Sequence, residues 1–169
     1  KILLGEPLDF KNEKSNLREL PSEVISWILT NHTASKFITP KGITIKNAYI
    51  TDTLDLQGLS FKYFIGFINC TFNKGIVLDR ANIASLSLKE SRVKGKVKII
   101  GARVNGQLNF EKAIFEKAKQ CLIIQFSKID GCVFLDNGFS ADSEVNLHGT
   151  QINGSLFCRG ASFSNPKGW

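Results

Sequence analysis

From Ile43 to Phe163 apolar residues come in pairs at positions i and i+2, and a new pair arrives every five or six residues. The run begins Ala48/Ile50, Leu54/Leu56, Leu59/Phe61, Ile65/Phe67, Cys70/Phe72, Ile76/Leu78, Ala81/Ile83 and Leu86/Leu88. A spacing of two is the period of a β-strand, whose side chains alternate between faces. Pairs this close leave strands too short for a sandwich and require a corner after each. The chain therefore turns constantly in one sense. The stretches Leu78 to Ile83, Leu88 to Val93, Ile99 to Val104 and Phe110 to Phe115 share one frame, with a small residue set between two apolar ends, and the frame recurs every 10 to 12 positions.

The full period is twice that, because alternate units place different residues inside. One predicted column holds Ile50, Phe72, Val93, Phe115, Phe139 and Phe163, and the other holds Phe61, Ile83, Val104, Ile129 and Ile152. A coil of about 22 residues with four short sides, stacked at the ~4.8 Å strand spacing, makes a rod of five to six coils roughly 26 Å tall. The dipeptides Asn105-Gly106, Asp130-Gly131 and Asn153-Gly154 follow equivalent inward residues, and such pairs accept the positive backbone dihedrals of a tight corner. Units lengthen at Glu116 to Cys121 and at Ser140 to Glu144, where loops are expected. The pattern predicts an all-β solenoid, a four-sided β-helix over residues 43 to 163.

Residues 1 to 42 lack the repeat. Leu8-Asp9-Phe10 alternates like a short strand, and Lys11 to Asn16 reads as loop. Pro21 and Glu23 suit a first helical turn, and Val24, Ile25, Trp27, Ile28 and Leu29 form an apolar stripe that ends at Asn31-His32. A solenoid exposes its interior at each end, so this helix is expected to cap the first coil. Residues 164 to 169 form a tail.

Composition adds limits. The chain has 169 residues, 43% hydrophobic and 22% charged, which suits one folded unit. No apolar run is long enough to span a bilayer, and no basic-then-apolar segment opens the chain. Cys70, Cys121, Cys132 and Cys158 lack zinc spacing and read as free buried thiols, which points to the cytoplasm. No residue set calls for a metal or a cofactor. The net charge of +7 favours anionic partners and solubility alike.

The repeat resembles that of the pentapeptide-repeat proteins, which build a right-handed quadrilateral β-helix with small residues at i−2 and Leu or Phe at i. About 120 residues match that pattern, with departures: five- and six-residue steps are mixed, and Leu fills i−2 in Leu86/Leu88 and Leu108/Phe110. More narrowly, Gly5-Glu6-Pro7-Leu8-Asp9, Ser22-Glu23-Val24-Ile25 and Ile99 to Leu108 look like a bacterial family some of whose members are labelled membrane-associated oxidoreductases. The chain has no glycine-rich dinucleotide turn, redox cysteine pair or flavin signature.

Candidate chemistry is sparse. His32 and His148 are the two histidines, and neither has Cys, Asp or Glu at ligand spacing. His148 sits on an outward repeat position and is the one candidate for acyltransfer on a β-helix. Asp136, Asp142 and Glu144 fall around one loop, where an acid and base for polysaccharide cleavage would be sought. Lys74, Arg92, Lys94, Lys96, Lys98, Lys117 and Lys119 fall at or beside one corner of successive coils, and a ridge of stacked lysines would follow a nucleic-acid backbone without sequence preference. A net positive chain is unsuited to imitating DNA. Phe134 and Phe157 occupy the outward slot that Ser87 and Asn109 fill earlier, and need a cover. Either Trp169 folds back over them or two copies meet there. The sequence thus reads as a non-enzymatic scaffold that mediates macromolecular interaction, a homodimer through its C-terminal end. An enzyme of unrecognised site and a binder of anionic surfaces are the competing readings.

Overall fold

The computed structural model describes residues 5–116 and 120–165, and these form an all-β parallel solenoid of about five turns with little helix. A sheet of 10 strands runs through Leu8–Asp9, Ile43–Lys46, Ser60–Ile68, Asn82–Ser87, Arg103–Val104, Lys128–Ile129 and Gln151–Ile152. It forks at Asn82–Ser87, from which a branch continues through Leu108–Asn109, Val133–Phe134 and Leu156–Phe157. A second sheet of 7 strands stacks Glu19–Leu20, Tyr49–Ile50, Thr71–Phe72, Arg92–Val93, Ile114–Phe115, Ser140–Ala141 and Ser162–Phe163. A third of 5 strands stacks Leu54–Asp55, Ile76–Val77, Val97–Ile100, Gln120–Gln125 and Glu144–Asn146. Most strands have two residues, so coil-to-coil bonds such as Leu54 N–H to Gly75 O (2.9 Å) and Leu56 N–H to Val77 O (2.8 Å) satisfy the backbone.

Every inward residue expected from Ala48 to Leu88 is 6% exposed or less. The column Phe61, Ile83, Val104, Ile129, Ile152 is in register. The other column departs at one place: Ala141, not Phe139, stands between Phe115 and Phe163. The cause is an additional residue at Gly138, in the corner that Lys112 turns alone one coil earlier. Phe139 therefore takes the slot that Ala113 fills, and the large and small members of the pair are exchanged. Its ring still reaches Phe115 (5.4 Å between centroids) and Phe163 (5.6 Å), so the stack of rings continues. The lengthening expected at Ser140 to Glu144 is absent, since Ser140–Ala141 and Glu144–Asn146 both pair as strands. At Glu116 to Cys121 the register shifts between Gln120 and Leu122.

Two kinds of corner alternate. One carries a left-handed residue: Asn47, Asn69, Glu90, Lys112 and Asn137 on one line of corners, and Arg80 and Phe126 with Gly58, Gly101 and Gly149 on another. The next residue is usually small, and where it is Ser its hydroxyl bridges coils. Ser127 Oγ accepts from Ala102 N–H (3.0 Å) and donates to Ile99 O (2.7 Å). The second kind includes the expected Asn-Gly and Asp-Gly corners, but Gly106, Gly131 and Gly154 have no positive φ. They are needed for close approach: a Cβ on Gly131 would lie 2.5 Å from Gly106 O, and one on Gly154 2.7 Å from Gly131 O. The dipeptides mark corners as expected, for a different physical reason.

Residues before Ile43 contribute two rungs. Leu8–Asp9 pairs with Ile43–Lys46, and Glu19–Leu20 pairs with Tyr49–Ile50. Helix α1 (Ser22–Thr30) follows Pro21 and puts Ile25 and Leu29 into the common core. Its apolar stripe is narrower than the sequence suggests, because Val24 and Trp27 are exposed. Nor does helical structure stop at Asn31-His32. Asn31 closes α1 through its N–H to Trp27 O and caps helix α2 (His32–Ser35), its Oδ1 accepting from Thr33 and Ala34 N–H at 3.0 Å each. One residue thus ends α1 and caps two of the first N–H groups of α2.

Candidate interaction surfaces

The outward ladder Ser87, Asn109, Phe134, Phe157 is in register, as expected. The Phe134 and Phe157 rings lie 5.0 Å apart and within 6° of parallel. This stack borders an exposed coil end. On the inward ladder Leu86, Leu108 and Val133 are buried, and one rung later Leu156 is 43% exposed. Phe157 (41%) and Phe163 (51%) are exposed with it. Three large apolar residues of the last described coil are thus exposed. Trp169, expected as one possible cover, lies outside the described residues.

Three of the described cations in the basic ridge are paired with carboxylates. Lys74 pairs with Asp52 (2.7 Å), Lys98 with Asp79 (2.7 Å) and Arg92 with Glu116, while Lys94 donates to Asn73 (3.1 Å). Lys96 has no such partner among the described residues; Lys117 and Lys119 lie outside them. Among the described residues, Arg92 and Lys98 stack on no other cation of the ridge. Arg92 stands in register with Thr71 and Ile114, and Lys98 with Val77 and Ile123. Cations interleaved with their own carboxylates project a weak field.

Of the residues weighed for catalysis, Asn146 links two: its Nδ2 donates to Glu144 and its Oδ1 accepts from the His148 backbone N–H. His148 is exposed, its ring edge-on to Phe126 (5.4 Å, 88°) and its backbone N–H donating to Asn146 Oδ1. Asp136 is buried with Oδ1 unpartnered, Asp142 is exposed, and Glu144 accepts from Asn146 Nδ2 (2.8 Å). Burial first and then the charge of Asp136 raise the Cys158 thiol, and Asp142 adds to the raising of Cys121 by burial. No three His, Cys, Asp or Glu among the described residues are placed to hold a metal ion. The cysteines are free. Burial pushes the thiols of Cys70 and Cys121 up to about 11, whereas Cys132 is half-buried and Cys158 exposed, against the expectation that all are interior. Cys158 is on an inward position of the last described coil.

A groove of about 530 Å³ lies where α1 and α2 meet the start of Ser60–Ile68. Leu29, Leu59 and Phe61 contribute its apolar wall, and His32, Gln57, Lys62 and Tyr63 its polar groups. It is set apart from His148 and from Asp136. It lies at a register shift between Phe61 and Phe64, where Lys62 and Tyr63 stand opposite the single Ala84. The sequence offers one hint, since Lys62-Tyr63-Phe64 replaces the Asn-Gly type of corner found in later coils. Among the described residues no helix is long and apolar enough to cross a membrane. No family model, curated protein or solved structure matches this chain.

Proposed function

We propose that this chain is a non-enzymatic β-solenoid scaffold that presents a rigid surface to another macromolecule and associates with its own copy through the C-terminal end of the rod. The observation that carries the reading is the stacked pair Phe134/Phe157 beside the exposed Leu156 and Phe163. Each large aromatic can remove roughly 150–250 Å² from water, so a matched contact across this end is worth a few kcal/mol per copy before the cost of association. A two-fold contact covers the same patch on both copies. The alternating corners and the forked first sheet support a four-sided cross-section, and the parallel crossovers favour a right-handed coil. In that architecture α1 serves as the N-terminal cap, and the chain is a variant of the pentapeptide-repeat type. Four free cysteines suit a reducing, cytoplasmic setting.

The test is sedimentation or light scattering of the parent and of the Phe134→Ser, Phe157→Ser variant. A parent that dimerises and a variant that does not are expected. A parent already monomeric at micromolar concentration removes the dimer, and a dimer that survives both changes puts its interface elsewhere. Binding of anionic polymers through the basic ridge is the weaker reading, because three of its described cations already hold carboxylates.

A further inference from the structure

We infer that the groove between the helical pair and the bulged start of Ser60–Ile68 is a binding site for a small organic acid, a carboxylate carried on an apolar or aromatic body. The inference stands apart from the scaffold reading and uses none of the residues at the C-terminal end. About 530 Å³ is within the range of sites for small ligands. Its lining includes no Asp or Glu, and the carboxylate of neighbouring Asp55 is engaged by the Gln57 N–H (3.0 Å).

The polar groups differ in what they have left to offer. Thr30 Oγ1 donates to Ser26 O and Ser35 Oγ donates to His32 O, so both hydroxyls are committed as donors. Lys62 has no carboxylate partner among the described residues, in contrast to Lys74, Lys89, Lys98, Lys112 and Lys128. Its Nζ lies 5.1 Å from the centre of the Tyr63 ring, which holds the ammonium beside an aromatic face. Tyr63 is in turn fixed edge-on to Phe61 (5.8 Å, 84°). A cation, an aromatic plane and an apolar wall of Leu29, Leu59 and Phe61 thus converge on one space.

Local backbone explains the convergence. Elsewhere along this line of corners a glycine turn such as Asn105-Gly106 lets coils close on each other. Here Lys62-Tyr63-Phe64 fills the same three-residue gap as Asn105-Gly106-Gln107 without a glycine, while the next coil has only Ala84 and Ser85 between Ile83 and Leu86, so the ladder is irregular at this corner. A carboxylate at Lys62 gains a charge-assisted bond, and the ligand body covers Tyr63 and the apolar wall.

The experiment is an amide-resolved NMR titration of the full chain with phenylacetate and, in parallel, with its neutral isostere phenylacetamide. Phenylacetate is expected to shift Gly58, Leu59, Lys62 and Tyr63 at millimolar concentration or below. Phenylacetamide is expected to bind roughly tenfold more weakly, the loss of one charge-assisted contact. Lys62 is exposed, so Lys62→Gln keeps the fold and should bring phenylacetate to the level of the amide; Tyr63→Ala should weaken both. Absence of shifts at these amides, equal affinity for acid and amide, or no effect of Lys62→Gln each overturns the inference.

Discussion

Replacing Gly131 tests why glycine stands at the stacked corners. With Ala at this position the new Cβ lies 2.5 Å from Gly106 O and 2.8 Å from Gly106 C. That is about 1 Å inside an ordinary contact of ~3.5 Å, and the obstacle is backbone, which cannot rotate away. The coils must part locally, which weakens the Gly131 N–H bond to Gly106 O (2.8 Å) and the Gly154 N–H bond to Gly131 O (3.1 Å). Overpacking with partial loss of two hydrogen bonds comes to roughly 3 kcal/mol. Gly58 supplies the contrast: its φ is +67° and a Cβ there meets nothing within 4 Å, so Gly58→Ala costs only the left-handed backbone penalty of about 1–2 kcal/mol. Asn separates the two causes. It tolerates the left-handed region, so Gly58→Asn should be milder than Gly58→Ala, whereas Gly131→Asn should be at least as damaging as Gly131→Ala. Urea unfolding followed by far-UV circular dichroism reads all four, with the parent slope checked for each because a solenoid can lose cooperativity. A Gly131→Asn protein more stable than Gly131→Ala would refute the stacking argument and restore the dihedral one.

Three further outcomes follow from the same packing. Phe139→Ala should cost about 3–5 kcal/mol in urea unfolding, since the ring is fully buried between Phe115 and Phe163. Glu111 is held down from its ordinary 4.5 to about 2, first by the hydrogen bond from Asn109, then by those from Asn137 and Lys89. Its folded value is the depressed one, so its stabilisation is present above 4.5 and is lost as pH falls toward 2; Glu111→Gln should flatten the stability profile in that window, measured by urea midpoints against pH. In native dilute protein at mildly alkaline pH, iodoacetamide should modify Cys158 and leave Cys70 and Cys121 until denaturant is added, as mass spectrometry of the alkylated peptides reports.

The sequence by itself determined the solenoid. An i, i+2 pairing renewed every five or six residues has few other ways to bury its apolar members, and parallel stacking then follows because each coil needs a neighbour to satisfy its backbone. The outward slot of Phe134 and Phe157 was legible for the same reason, since strand alternation assigns a face to each residue once the frame is known. Tertiary structure decided what local pattern leaves open. Whether a lengthened unit absorbs its additional residue before or after the inward pair depends on what the neighbouring coil can accommodate. That is why Phe139 and Ala141 exchange slots around Gly138. Glycine at Gly131 looks identical in sequence whether it serves a dihedral or a close approach, and only the distance to Gly106 separates the two. The lysines at the corner read as a ridge because like charges recur at one corner. Their partners Asp52, Asp79 and Glu116 come from neighbouring coils, Asp52 from the position of Lys74 itself one coil earlier, so the compensation is set by register rather than by order along the chain. The groove at Lys62 and Tyr63 is likewise a product of the fold: two helices packed on the first coils meet a bulge some thirty residues later, and proximity of that kind exists only once the chain is folded.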